Sequence, residues 1–190
     1  MNRTVHLIVN PFGGTQDNRA LAHKALSTLN DHGIKVNVDF SQRKGHAMKV
    51  ARSLSYAPEK TICGLGGDGT MHEIINGIMC RPPEEMMPVG LLPGGTGNSF
   101  LEDVGVFNFN DALRMIIRAD HTNIDLFKIH LDGSCHFAFK SRVSGHTCSF
   151  QWFSAVQSRG ASTWYQLSLT VEESKKIVCY TTFCVAKKRH

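Results

Sequence analysis

At 190 residues and 42% hydrophobic content, the chain can build one ordinary domain, or one domain and part of another. Its longest late apolar run, Ile177 to Ala186, has about half the length a membrane-spanning helix needs, and Met1 to Asn10 enter a strand without a charged-then-apolar leader, so a transmembrane segment and a secretory signal are not expected. The net charge of +5 is local: residues 1–140 hold 14 Lys+Arg and 14 Asp+Glu, residues 141–190 hold 7 and 2, and 15 of the 17 glycines precede residue 141.

In chain order, Val5 to Val9 read as a short apolar strand that ends at Asn10-Pro11-Phe12-Gly13-Gly14, where Pro11 stops a central strand and the glycines mark a turn or a phosphate-approaching loop. Asn18 is read as a helix N-cap, with Leu21, Ala25, Leu26 and Leu29 recurring at helical spacing up to a stop at Gly33. Ile34, Val36, Val38 and Phe40 alternate as a second strand; a polar loop from Ser41 to Gly45 follows, and then a helix with Ala47, Val50, Ala51 and Leu54 inward. Thr61 to Leu65 form the third strand. The helix after it carries Ile74, Ile75 and Ile78, and Val89 to Leu92 form the fourth strand, running into Pro93-Gly94-Gly95-Thr96-Gly97-Asn98. A helix over Asp111 to Ala119 and a hairpin, Phe127 to Leu131 and Cys135 to Phe139 around Asp132-Gly133, complete the regular part. Strand and helix alternating four times predict an α/β, three-layer sandwich with a mostly parallel sheet.

Chemistry concentrates in Gly64-Leu65-Gly66-Gly67-Asp68-Gly69-Thr70, between the third strand and its helix. Glycines present bare N–H groups there, and the helix dipole adds to them, which makes a phosphate cradle. Asp68 would repel phosphate unless it holds a bridging metal or accepts a proton from an attacking hydroxyl. Thr70 and Glu73 have capping-box spacing, and Glu73 could equally support Asp68 or a metal. Gly64, Gly66 and Gly69 also spell the weak dinucleotide pattern G-x-G-x-x-G, but the acid expected after the next strand is missing. His46 and His72 fall at helix starts, where polar contact and phosphate neutralisation are both open. The six cysteines, Cys63, Cys80, Cys135, Cys148, Cys179 and Cys184, contain no Cys-x-x-Cys pair and read as reduced thiols. Three of four strand ends carry glycine-rich loops, and in open parallel sheets ligands bind at the carboxyl ends of the strands.

These loops resemble the catalytic domain of the diacylglycerol kinase family of lipid kinases, which includes sphingosine and ceramide kinases. The resemblance rests on Asn10-Pro11 with Gly13-Gly14, Ser41 with Gly45-His46-Ala47, Gly66-Gly67-Asp68-Gly69-Thr70 with Glu73 and Asn76-Gly77, and Pro93-Gly94-Gly95-Thr96-Gly97-Asn98, over residues 4–139. The Gly-Gly-Asp-Gly-Thr core is shared with NAD kinases and phosphofructokinases; the Pro-Gly-Gly-Thr-Gly-Asn run separates the lipid kinases from both. The resemblance implies a nucleotide-binding domain of NAD kinase/phosphofructokinase type that uses ATP and Mg²⁺ to phosphorylate a lipid hydroxyl, of diacylglycerol or a sphingoid base, presented at a membrane surface. It implies that Asn10, Pro11, Ser41, Gly66, Gly67, Gly69, Thr70, His72, Gly95, Thr96 and Gly97 bind the nucleotide, with Asp68 and Glu73 catalytic.

The expected organisation is an ATP-binding domain over 1–125, the start of a second β domain over 126–140, and an atypical, poorly ordered basic tail over 141–190, the second domain being truncated or replaced. Asp125 is assigned a structural hydrogen-bonding role. The Lys187-Lys188-Arg189-His190 end is read as a solvated tail without a nucleic-acid partner. A cytoplasmic protein that meets membranes peripherally is expected, with weak or no kinase activity in this chain by itself. The alternatives are a catalytically dead nucleotide-binding module and an NAD kinase.

Overall fold

In the computed structural model, residues 3–98, 100–101, 105–121, 124, 126–131 and 134–139 are described, together with short strands at 143–144, 147–150, 167–169 and 178–179. The chain divides into two units, one covering Met1–Ile124 and Thr181–His190, the other Asp125–Tyr180.

The first unit is built on four parallel strands, β1 (Thr4–Val9), β2 (Lys35–Phe40), β3 (Lys60–Gly66) and β4 (Val89–Pro93), in the order β2-β1-β3-β4. The chain starts in the middle of the sheet, moves out to β2, crosses back over β1 to β3, and continues to β4. Right-handed crossovers then dictate the layers. Helix α1 (Asn18–Asp31) covers one face; α2 (His46–Ser53) and α3 (Asp68–Ile78) cover the other, and α4 (Phe109–Arg118), after β4, returns to the first. Alternate side chains confirm this: a Cβ on Gly64 would meet Ile74 of α3, while one on Gly90 would meet the Cys63 sulfur and Ile116 of α4. The three-layer α/β sandwich is therefore present. The strand order reverses between β1 and β3, which puts the topological switch point at the loops that follow these two strands.

The core strands β1, β3 and β4 are nearly all buried, as near-continuous runs such as Val5 to Val9 require of a sheet covered on both faces. Strand β2 lies at the edge and is half-exposed. Helix α1 differs from expectation in its cap and in the margins of its buried stripe. Asp17 caps it, its carboxylate accepting from Arg19 N (2.9 Å) and Ala20 N (3.2 Å), so Asn18 is the first helical residue and not the cap. Asn18, Ala22, Ala25 and Leu29 face inward, and Leu21 and Leu26 are left half-exposed. The small alanines let the helix lie close to the sheet.

Helix ends are secured by charge. Arg3 donates to the carbonyls of Ile116 and Ile117 at the C-terminus of α4, both at 2.6 Å. Helix α2 has only 8 residues, too few to be stable alone, and is held at both ends by the segment that follows β3. The Glu73 carboxylate accepts from Gly45 N (2.8 Å) and Ala47 N (3.2 Å) at its N-terminus. Buried Arg81 donates to Arg52 O (2.9 Å) and Leu54 O (2.5 Å) at its C-terminus and pairs with Glu85 at 2.8 Å. Each charge sits at the helix end whose dipole favours it. Between the ends, Gly77 allows the closest approach of α3 to α2: a Cβ there would strike the Met48 carbonyl.

In the second unit, β5 (Leu126–Leu131) and β6 (Ser134–Phe139) pair antiparallel from Leu126↔Phe139 to Leu131↔Ser134, as the hairpin pattern predicts. The turn residues 132–133 and Asp125 lie outside the described residues. Of the segment expected to be a tail, most also lies outside them. Its described residues form β7 (Val143–Ser144), β8 (Thr147–Phe150) and β9 (Leu167–Leu169), which pair with one another, and β10 (Val178–Cys179), which pairs antiparallel with β5.

Cys63 and Cys80 are free thiols, Cys63 buried on β3 and Cys80 exposed after α3. Burial pushes the Cys63 thiol from 9.0 up to about 12, against smaller opposing effects of Arg3 and a Gly90 backbone hydrogen bond. Between these values the unfolded chain loses a proton that the folded chain keeps, so stability must fall as pH rises, by about 1.4 kcal/mol per pH unit for one proton. Urea midpoints measured from pH 9.0 upward should decline more steeply in the wild type than in Cys63→Ala; equal slopes would contradict the assignment.

Candidate active site

Three loops meet at the carboxyl ends of the strands: Asn10–Gly14 after β1, Gly66–Thr70 from β3 into α3, and Gly94–Asn98 after β4. They meet backbone to backbone. A Cβ built on Gly95 would strike the Cα of Gly67 and come within 2.6 Å of its nitrogen. One on Gly67 would lie 2.6 Å from Gly97 O, and one on Gly14, whose φ is +71°, would lie 2.6 Å from Gly94 O. Hydrogen bonds fix the same contacts: Gly94 N donates to Gly66 O (2.9 Å), Asn10 N to Leu65 O (2.9 Å), and Asp68 N to Gly97 O (3.2 Å).

Asp68 occupies the first turn of α3 and is 5% exposed. Its Oδ1 accepts from Phe100 N at 3.2 Å, so the loop after β4 holds both its main chain and its side chain. A carboxylate at this end of α3 is favoured by the helix dipole. On either side of it are two exposed glycines with a different character. A Cβ on Gly69 would meet nothing within 4 Å, and one on Gly97 would meet only the Asp68 Oδ2, at an ordinary 3.7 Å. Neither has a left-handed φ. The fold itself does not ask for glycine at either place, and a side chain on Gly97 would stand against the Asp68 carboxylate.

The other expected residues divide. Gly66, Gly67, Gly95, Gly97 and Gly69 are brought together around Asp68, with exposed Thr96 beside them. Asn10 closes the first loop, its Oδ1 accepting from Phe12 N at 3.1 Å, with Pro11 half-exposed next to it. Ser41 is tied by its N–H to Val9 O (2.7 Å), at the end of the neighbouring strand. His46 accepts at Nδ1 from Gln42 N (3.1 Å), a polar contact at the start of α2. His72 lies one turn along α3, where its carbonyl accepts from Asn76 Nδ2 (2.9 Å).

The capping box is not formed. Helix α3 starts at Asp68 after Gly67, three residues earlier than it would with Thr70 as its cap, and the carbonyl of Gly67 accepts from Thr70 N (2.9 Å). Thr70 is buried with its hydroxyl under Gly66, and Glu73 caps α2 instead of its own helix. Asn18, read from the sequence as a helix cap, belongs to the site instead. It is fully buried, and its Nδ2 reaches Asn10 O (2.7 Å), Gly13 O (3.0 Å) and Gly94 O (3.0 Å).

A model of the diacylglycerol kinase catalytic domain matches residues 4–129. The chain belongs to that family. It is 38% identical over 158 residues to human sphingosine kinase 2, covering 73% of this chain and 24% of that protein. To a probable lipid kinase YegS of Salmonella newport it is 31% identical over 147 residues, covering 74% of this chain and 48% of the other. A diacylglycerol kinase crystal structure from Bacillus anthracis superposes with a TM-score of 0.62 at 26% identity, over 73% of this chain and 46% of that one. The chain thus spans from about a quarter to about half the length of these relatives. Its place among lipid kinases does not favour the NAD kinase reading.

Replacing Glu73 by Gln leaves the shape but sets an NH₂ group against one of two helix-end N–H groups. The loss should be about 1–2 kcal/mol of unfolding free energy. Hydrogen exchange at residues 44–47 should rise with it. Unchanged stability and exchange would mean that Glu73 does not hold α2.

Proposed function

We propose that the first unit is the nucleotide-binding face of an ATP-dependent lipid kinase, which transfers the γ-phosphoryl group of ATP to a hydroxyl of a lipid such as diacylglycerol or a sphingoid base. The observation that carries this reading is the pair Gly69 and Gly97, solvent-facing glycines that neither backbone conformation nor packing requires, one next to the buried Asp68 in sequence and the other facing its carboxylate. A group that must come close to the main chain explains them, and a phosphate at a helix N-terminus is such a group. The residues also fit Mg²⁺. Among the described residues no cluster of three His, Cys, Asp or Glu could hold a metal by itself. Magnesium commonly binds through one or two carboxylates together with substrate phosphates, and Asp68 is placed to supply one.

In this reading the chain's residues do three things. The loop glycines, with Asn10 and Ser41 at the margin, position the phosphates. In the first turn of α3 the N–H groups of Asp68 and Thr70 are engaged by backbone carbonyls, and that of Gly69, which has no backbone acceptor among the described residues, faces the charge. Asp68 organises the metal or takes the proton of the attacking hydroxyl, while Glu73 keeps the Ser41–Gly45 loop in place. Transfer of a phosphoryl group asks for such positioning and electrostatics more than for covalent chemistry. The lipid acceptor would be met at a membrane surface; among the described residues no helix is long and apolar enough to cross one.

The test separates fold from function. Gly69→Ala should keep or raise the melting temperature, because alanine is about 0.5–1 kcal/mol better than glycine in a helix. It should nonetheless reduce the stabilisation given by Mg-ATP. Gly95→Ala should lower the melting temperature outright, because its Cβ meets the backbone of Gly67. In a version completed with the C-terminal half of a full-length relative, Asp68→Asn should cut transfer from ATP to lipid by about 10²-fold or more, a much larger effect than on Mg-ATP binding. Full Mg-ATP stabilisation in Gly69→Ala, or none in a folded wild type at millimolar ATP, would overturn the proposal.

A further inference from the structure

Asn18 stands out by what its burial entails. Asparagine is seldom fully buried, and alanine is the better helix former at its position. It does not cap α1, since Asp17 does. Its Oδ1 is buried and has no hydrogen-bond partner, an unfavourable arrangement that a small apolar residue would avoid. Exchanging the two amide atoms does not relieve this, because an oxygen would then face three carbonyl oxygens. What Asn18 contributes is therefore on Nδ2. Two of its acceptors, Asn10 O and Gly13 O, belong to its own loop; the third, Gly94 O, lies 76 residues further along, in the loop after β4.

We propose that Asn18 is a positioning residue that locks the Asn10–Gly14 loop to the Gly94–Gly97 loop and so sets the width of the cleft in front of Asp68. The carbonyl it holds at Gly94 is the one against which Gly14 packs, and the next residue, Gly95, rests on Gly67, which precedes Asp68. A change at Asn18 passes to the carboxylate through two backbone contacts that lack side chains to absorb it. The locking of the loops is independent of any ligand. Its effect on affinity rests on the nucleotide reading above.

Hydrogen exchange of the full chain without nucleotide tests the lock. Asn18→Asp has the same size but no N–H donors and adds an oxygen facing three others. Asn18→Ala has neither donors nor that repulsion. If the donors matter, both variants speed exchange in residues 10–14 and 94–97 together, Asp more than Ala. If Asn18 only fills space, Ala is worse than the isosteric Asp. A faster rate in one loop alone, or the reversed order, overturns the proposal. Should Asn18→Asp fail to fold, exchange in the wild type against urea decides instead: locked loops open with one common slope, and separate slopes overturn the proposal. Calorimetry with Mg-ATP supplies a readout that lost stability alone would not move. Asn18→Ala should bind at least about tenfold more weakly. Arg3→Ala, which loosens the far end of α4, should bind like the wild type even where its melting temperature falls as much. Equal binding by Asn18→Ala and wild type contradicts the proposal. Coupled exchange in a protein that binds no Mg-ATP leaves the lock intact and removes the nucleotide reading.

Discussion

The structure depends on a contact between two glycines. Gly67 and Gly95 touch main chain to main chain, closer than any side chain on either would permit, and Gly14 seats against Gly94 in the same way. Three strand ends can then converge on one point, and peptide groups that would otherwise face solvent bond across the loops. Asp68 becomes buried because of this closure. The loop after β4 supplies an acceptor to its N–H and a donor to its Oδ1. A buried carboxylate is unfavourable unless it is hydrogen-bonded, and the glycine contacts bring its partners within reach.

The rest of the first unit holds these loops still. Helix α2 is short, and the Ser41–Gly45 loop in front of it has little regular structure. A carboxylate from α3 grips its first turn, a guanidinium from the segment after α3 grips its last carbonyls, and Gly77 lets the two helices touch. The loop before α2 thereby inherits the position of α3, whose own first turn carries Asp68. On the opposite face, Asn18 does the corresponding work for α1. Exposed ion pairs contribute little by comparison; Arg114 and Asp111, at 3.0 Å on the surface of α4, decide nothing about the site.

Much of this was legible in the sequence. Alternating strands and helices, apolar runs and glycine-rich strand ends specify a parallel sheet with a ligand edge, and the chain folds that way. Family membership was readable from the same loops. What was not legible depends on partners distant in sequence. Thr70 and Glu73 have capping-box spacing, but Glu73 finds two N–H groups 26 and 28 residues away, and no local pattern reports them. Asn18 looked like a cap because it opens an apolar stripe; Asp17 took that role, and of the expected stripe Ala25 and Leu29 are buried while Asn18 and Ala22 take the inward places of Leu21 and Leu26. The glycines were read together as room for phosphate. Gly95 in fact makes room for Gly67, and only Gly69 and Gly97 stay open outward. A sequence marks where glycine is present, but which neighbour it admits is a property of the fold.

The central claim is that the three loops form one phosphate-binding surface in front of Asp68. Amide chemical shifts of the ¹⁵N-labelled chain, followed through a titration with Mg-ATP, test it most directly. The account predicts that the amides of Gly69 and Gly97, one on α3 and one on the loop after β4, move together with a single dissociation constant, and that those of the Asn10–Gly14 loop follow them. Shifts confined to one loop, or centred on residues away from Asp68, would contradict it.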